Sequence, residues 1–132
     1  MIFEKIMKSK SKVKLEDFFR DKRGIIYNLI NLNFGSCLFI KSKNNTIRAN
    51  HYHKKDWHYC YILKGKVHYY SRKVGSNSKP KKEIFKKGDL FFTPSMVEHA
   101  MYFPIDTEFI ALAKLTRKSK NYEKDTVRID LI

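Results

Sequence analysis

His51-Tyr52-His53-Lys54-Lys55-Asp56-Trp57-His58, closed by Gly65 and answered downstream by Gly88, Pro94 and His99, is the stretch on which the fold turns. As spacing it reads H-x-H-x4-H-x6-G, a gap containing Lys79-Pro80, and then G-x5-P-x4-H. Successive side chains of a strand point to opposite faces, so His51 and His53 share a face if they lie on one strand. Four of the five histidines then fit one convergent site.

Outward from this stretch, apolar runs are short and turn residues frequent, which is the pattern of an all-β domain. The spacing predicts strands over 25–31, 35–41, 46–53, 58–64, 66–72, 82–85, 90–93, 99–103 and 107–114. Gly65 fits a tight hairpin, residues 73–80 a hairpin tip and Lys87-Gly88-Asp89 another turn. Residues 15–20 are expected to make one helical turn, and the tail to end in a strand over 127–131. No repeat or low-complexity tract marks a second domain, so residues 1–132 read as one domain. Nine short strands closing on themselves make a small barrel with room for one ligand.

Composition sets the outer limits. A chain of 132 residues can bury a single core without disulfide or metal staples. Cys37 and Cys60 form no disulfide framework, and together with an N-terminus that lacks a signal-type apolar core they point to a cytoplasmic protein. No apolar run approaches the ~18 residues of a membrane span. The formal charge of +15 raises the question of nucleic acid, but only six of the 28 basic residues are Arg. Geometric phosphate recognition favours the Arg fork, and the lysines lie in scattered runs, so a solvated lysine surface is expected, with attraction of nucleotide diphosphates as the alternative, rather than nucleic-acid binding.

The two histidine motifs, over about 46–65 and 88–103, resemble those of the cupin superfamily, usually written G-x5-H-x-H-x3–4-E-x6-G and G-x5-P-x-G-x2-H. Here His58 stands for the Glu, Asn45 for the leading Gly and Met96 for the inner Gly of the second motif. The resemblance implies a single-domain jelly-roll, or double-stranded β-helix, barrel. Asp21-Lys22-Arg23-Gly24, Arg48-Ala49-Asn50-His51-Tyr52-His53-Lys54-Lys55 and the stretch from Pro94 to Met101 are also similar to the sugar 3,4-ketoisomerases and, more distantly, the dTDP-4-dehydrorhamnose 3,5-epimerases. Those enzymes remodel nucleotide-linked 4-keto sugars for surface polysaccharides, and the ketoisomerases work without metal. In the ketoisomerase pattern R-G-x-H-A-H-K the Gly is Ala49 here and the middle Ala is Tyr52.

Two chemistries are open to these residues. In the first, His51 or His53 is the base that moves a proton beside a sugar carbonyl, with Arg48 and Lys54 holding the substrate and, by resemblance, Arg23 binding phosphate across a dimer. No cofactor is then required. In the second, His51, His53, His58 and His99 hold Mn, Fe, Ni, Cu or Zn with positions left for a small molecule undergoing oxygenase, lyase or isomerase chemistry. A non-catalytic sugar-binding cupin is a third class. His68, outside both motifs, reads as structural. Tyr59 and Tyr61 alternate with Cys60 and Ile62, so they should face away from the site and make an aromatic stripe for a homodimer. Glu98 should point outward and Asp89 follows a turn, so neither is an obvious His-orienting carboxylate; Asp56, on the loop before His58, is within reach, but the sequence gives no clear His–Asp dyad.

Overall fold

The computed structural model describes residues 11–132, so the expectation about the N-terminal residues lies outside the described part. The strands in chain order are β1 (Lys12–Val13), β2 (Glu16–Asp21), β3 (Gly24–Asn28), β4 (Ser36–Ser42), β5 (Thr46–His53), β6 (His58–Lys64), β7 (Lys66–Lys73), β8 (Lys81–Lys86), β9 (Leu90–Thr93), β10 (Val97–Phe103), β11 (Thr107–Ala113) and β12 (Thr126–Arg128). One helix, α1 (Ser119–Asp125), precedes β12.

The strands form two five-stranded antiparallel sheets, ordered β1-β9-β6-β11-β4 and β12-β5-β10-β7-β8, and a separate hairpin of β2 and β3. The jelly-roll fold expected from the sequence is present as two packed sheets rather than as one continuous ring of hydrogen bonds. Their inner faces meet in Cys60, Ile62, Phe91, Phe109 and Ala111 from one sheet and Val67, Tyr69, Phe85 and Phe103 from the other. Phe85 and Phe91 stack across the gap at 4.4 Å, and the buried Tyr69 hydroxyl bonds Thr93 Oγ1 at 2.7 Å, so its polar end is satisfied. This aromatic cluster fills part of the space between the sheets. The histidines line what it leaves.

Turn chemistry fixes the registers. Gly65 joins β6 to β7 at φ +97°, and a Cβ there would meet Asp106 O at 2.5 Å and the Thr107 side chain. Thr107 Oγ1 accepts from Lys66 N at 3.1 Å and closes that corner. At the next turn Asp89 Oδ2 accepts from Lys86 N at 2.9 Å.

Three expectations need correction. Residues 15–20 are not a helical turn: Glu16–Asp21 is a strand paired with Gly24–Asn28, because the Asp21-Lys22-Arg23-Gly24 turn returns the chain antiparallel to itself. The strand expected over 25–31 accordingly stops at Asn28. The tail contains α1, and its strand runs over Thr126–Arg128 rather than 127–131, held beside β5 by pairs such as Thr126 with His53. Among the described residues no helix is long and apolar enough to cross a membrane.

Candidate functional site

Strand β5 carries His51 and His53 to the inner face, both buried, as its alternation requires. His99 on β10 is the cross-strand partner of His51, and their rings lie 4.7 Å apart. His51 and His53 are separated by 4.5 Å, and His58 at the start of β6 is 4.9 Å from His53. The four histidines therefore converge, on a cavity of about 270 Å³ that also presents Arg48, Arg117, Tyr122 and the apolar Leu38, Cys60 and Phe109.

Local backbone geometry explains how β5 reaches this arrangement. Ala49 and Asn50 have φ of 72° and 54°, and the pairing of β10 with β5 shifts register between His99 and Ala100. This is a β-bulge that inserts one residue into β5. Asn50 stabilises it by accepting from Leu131 N and Ile132 N at 3.2 Å each, while its carbonyl accepts from Ile129 N at 2.9 Å. Met96, in the position of the motif's inner Gly, has φ 59° and donates its N–H to His53 O at 2.7 Å.

Burial decides the protonation of the site. It pushes His51 down to about 2, His58 to about 3 and His99 to about 4, with the neighbouring imidazoles adding in each case, and it lowers His53 as well. All four are neutral near pH 7. The Asp56 carboxyl lies 3.5 Å from His58 Nε2, and burial raises its own pKa. Asp56 Oδ1 also accepts from Trp57 N and Leu115 N at 3.0 Å each, which ties the β5–β6 loop to the end of β11. His99 Nδ1 sits 2.9 Å from the carbonyl of Val97, an acceptor, so this nitrogen carries the proton. His51 Nδ1 and His53 Nε2 are buried without a hydrogen-bond partner.

As ligand sets the donors form two overlapping triads, His51-His53-His99 and His53-Asp56-His58, each with its atoms within 4.8 Å of one another. The first suits a divalent transition ion: three imidazoles, two of them with unpartnered nitrogens, and a cavity for further ligands. His58 falls in the other triad, so the four-His set expected from the sequence divides at His53.

Of the expected substrate-binding residues, Arg48 lines the cavity, its guanidinium donating to Ser42 Oγ at 2.7 Å and to Lys41 O at 3.0 Å. Lys54 is exposed beyond the end of β5, and Arg23 is exposed at the β2–β3 turn with its guanidinium 2.6 Å from Asp21; neither lines the cavity. His68 packs beside Tyr102 at 5.7 Å, away from the site, and Glu98 pairs with Arg72 at 2.8 Å. Tyr59 lies 4.6 Å from Phe92 and 5.5 Å from Trp57, on the face opposite the buried Cys60 and Ile62, as alternation requires.

Sequence reasoning missed Arg117, Tyr122, Asp125 and Thr126. Arg117 stacks over Tyr122 at 3.9 Å, and Tyr122 lies 5.6 Å from His53. Asp125 Oδ2 is 3.7 Å from His53 Nδ1, and Thr126 Oγ1 is 3.3 Å from the same nitrogen. The H-x-H strand alone gave no signal for them, since all four come from the C-terminal segment.

No protein-family model matches the sequence, and no curated protein does. Solved structures match closely in shape. The sugar 3,4-ketoisomerase QdtA from Thermoanaerobacterium thermosaccharolyticum, in complex with TDP, gives a TM-score of 0.69 at 18% identity, over 89% of this chain and 85% of that one. A 3,4-ketoisomerase from Helicobacter canadensis gives 0.68 at 17% identity, over 89% and 87%. The dTDP-6-deoxy-D-glucose-3,5-epimerase RmlC from Legionella pneumophila Philadelphia 1, in complex with dTDP-4-keto-L-rhamnose, gives 0.67 at 16% identity, over 90% and 70%. This chain has the fold of the RmlC-like cupins.

Proposed function

We propose that the protein isomerises or epimerises a nucleotide-linked 4-keto sugar in surface polysaccharide biosynthesis, by histidine acid/base catalysis through an enediol or enolate. The observation that carries this reading is the pair of buried, unpartnered ring nitrogens, His51 Nδ1 and His53 Nε2, in side chains lining a cavity that Arg48 also lines. Protons on the carbon next to a ketone are acidic because the resulting anion spreads onto the carbonyl oxygen. A neutral imidazole takes such a proton and returns it to the neighbouring carbon or the opposite face. Burial keeps the rings neutral and so keeps the lone pair available. The imidazolium formed in the reaction is matched by the enolate that forms beside it, and a positioned guanidinium stabilises that enolate or the diphosphate.

The substrate class is supported by the ligands of the similar structures, TDP and dTDP-4-keto-L-rhamnose. On this reading the protein works in the cytoplasm and as a homodimer. The β2–β3 hairpin supports the dimer, because it leaves Phe18 68%, Ile26 57% and Phe19 48% exposed while pairing with no other strand among the described residues. An apolar two-stranded hairpin is marginal on its own, and a second copy covering it would carry Arg23 with it.

A second reading rests on the His51-His53-His99 triad. Those residues would hold a divalent ion that polarises a substrate oxygen or activates dioxygen, and His53 would not be free to act as base.

The test is incubation with a panel of nucleoside-diphosphate-linked 4-keto sugars in deuterated water, followed by NMR. Deuterium next to the carbonyl and a new isomer are expected. His53→Asn and His51→Asn are each expected to cut turnover by about 10²–10⁴-fold with the fold retained, the range for general acid/base groups. Wild-type protein giving neither exchange nor isomer across the panel would sink the reading, and undiminished turnover by His53→Asn would remove His53 from the base role.

A further inference from the structure

We infer that Thr126 is a positioning residue that fixes the tautomer of His53, leaving a lone pair on the buried, unpartnered Nε2; this deepens the isomerase reading, in which His53 is a candidate base. Thr126 is the first residue of β12 and the cross-strand partner of His53. A hydroxyl has one proton to give, and Thr126 gives it to the carbonyl of Tyr122 at 2.7 Å. What its oxygen offers His53 Nδ1, 3.3 Å away, is therefore a lone pair. A hydrogen bond forms there only when Nδ1 carries the proton.

The carboxylate of Asp125 makes the same demand from 3.7 Å. It is held in place by the backbone, since Oδ1 accepts from Lys55 N at 2.8 Å and Oδ2 from Asp56 N at 3.0 Å. The opposite tautomer would leave two faults: an Nδ1 lone pair facing two acceptors, and an N–H at Nε2, which is buried with no partner. Free histidine favours the Nε2–H form, so the site runs against the intrinsic preference of the side chain. The consequence is functional. An imidazole with its proton on Nε2 has no lone pair at that atom with which to take a proton from carbon. In His99 the Val97 carbonyl imposes the same tautomer, but through backbone that no side-chain substitution removes.

The experiment uses the full chain, freed of metal by chelation and labelled with 15N in histidine, with ring tautomers read at neutral pH from long-range 1H–15N correlations. In the wild type His53 is expected to show a protonated Nδ1 and an unprotonated Nε2. Thr126→Val, which keeps the shape and removes the hydroxyl, should move His53 toward the Nε2–H form while His99 stays as it was. Thr126→Ser should restore the wild-type pattern. On a substrate found in the deuterium panel, Thr126→Val should lower kcat about tenfold or more with little change in KM, and Thr126→Ser should recover it. A wild-type His53 protonated at Nε2, or a Thr126→Val spectrum indistinguishable from wild type, overturns the inference. If Thr126→Val does not fold, Thr126→Ala gives the same comparison. Wild-type protein with the expected tautomer and no turnover on any keto sugar counts against the isomerase reading, and the spectra then still support the role of Thr126.

Discussion

Arg48 and His51 stand on the same face of β5 although they are three residues apart, because their cross-strand partners Met101 and His99 are two apart on β10. In a regular strand an odd separation would put them on opposite faces. The bulge at Ala49 and Asn50 absorbs the extra residue and lets Arg48 line the same cavity as the histidines.

The bulge makes Asn50 a residue that a side-chain inventory would overlook. Its φ of 54° is tolerated by Asn and Gly and poorly by other residues, and its side-chain oxygen holds the backbone of Leu131 and Ile132. Asn50→Ala loses both and is expected to cost about 1–2 kcal/mol, whereas Asn50→Gly keeps the backbone and loses only the clasp on the tail. Thermal melts should rank wild type above Asn50→Gly above Asn50→Ala. Equal melting of the two variants would mean that the left-handed backbone contributes nothing.

Sequence alternation was enough to place His51 and His53 together, because the period of a strand is stiff and both motifs fall on strands. It could not place Arg48, since Ala49 carries no bulge signal and the parity change is visible only in the pairing with β10. The helical turn expected over residues 15–20 had apolar residues at Leu15, Phe18 and Phe19, a helix-like spacing. In the hairpin Phe18 and Phe19 are both exposed, so that spacing did not report burial within the chain. The site residues of the C-terminal segment were illegible for another reason: Asp125 and Thr126 act on His53 across β12, a pairing of 73 residues' separation for Thr126 that no local pattern encodes.

The buried histidines make stability fall in mild acid. Each titrates near 6.5 when unfolded, but burial holds His51 at about 2, His58 at about 3 and His99 at about 4 in the fold. Between those values the unfolded chain binds more protons, so stability is full above about pH 6.5 and is lost as pH falls toward the folded values. The slope is about 1.4 kcal/mol per pH unit for each histidine. Asp56, raised by burial, acts in the opposite direction, but it is one group against four lowered histidines, His53 included. Denaturant midpoints of metal-free protein should fall steeply from pH 7 to pH 5, and His99→Gln should flatten the dependence. A midpoint independent of pH over that interval would show that the rings are not buried neutral.

The apolar hairpin predicts that the dimer and the activity fail together. Replacing Phe18 and Ile26 with Ser removes two of its most exposed apolar side chains without touching the cavity lining. Size-exclusion chromatography with light scattering should find a dimer for the wild type and a monomer for the double variant. Turnover should fall too if the partner's hairpin completes the site. A wild-type monomer with full activity would remove the second copy from the reading.

Metal removal separates the two chemistries, because a ligated His53 has no lone pair left for a proton. Under the acid/base reading turnover survives exhaustive chelation, and His99→Gln loses little, since His99 supports the cavity wall without moving the proton. Under the metal reading the donor geometry makes a finer distinction: His99 belongs to the triad with His51 and His53, while His58 groups with Asp56. His99→Gln should then abolish metal uptake and His58→Gln should leave it near wild type, as read by elemental mass spectrometry on untagged protein. Chelation-resistant turnover, with exchange of the substrate proton into water, is the outcome expected here. Loss of turnover on chelation, restored by a single divalent metal and blocked by His99→Gln, would transfer His53 from base to ligand and overturn the acid/base mechanism while leaving the fold assignment intact.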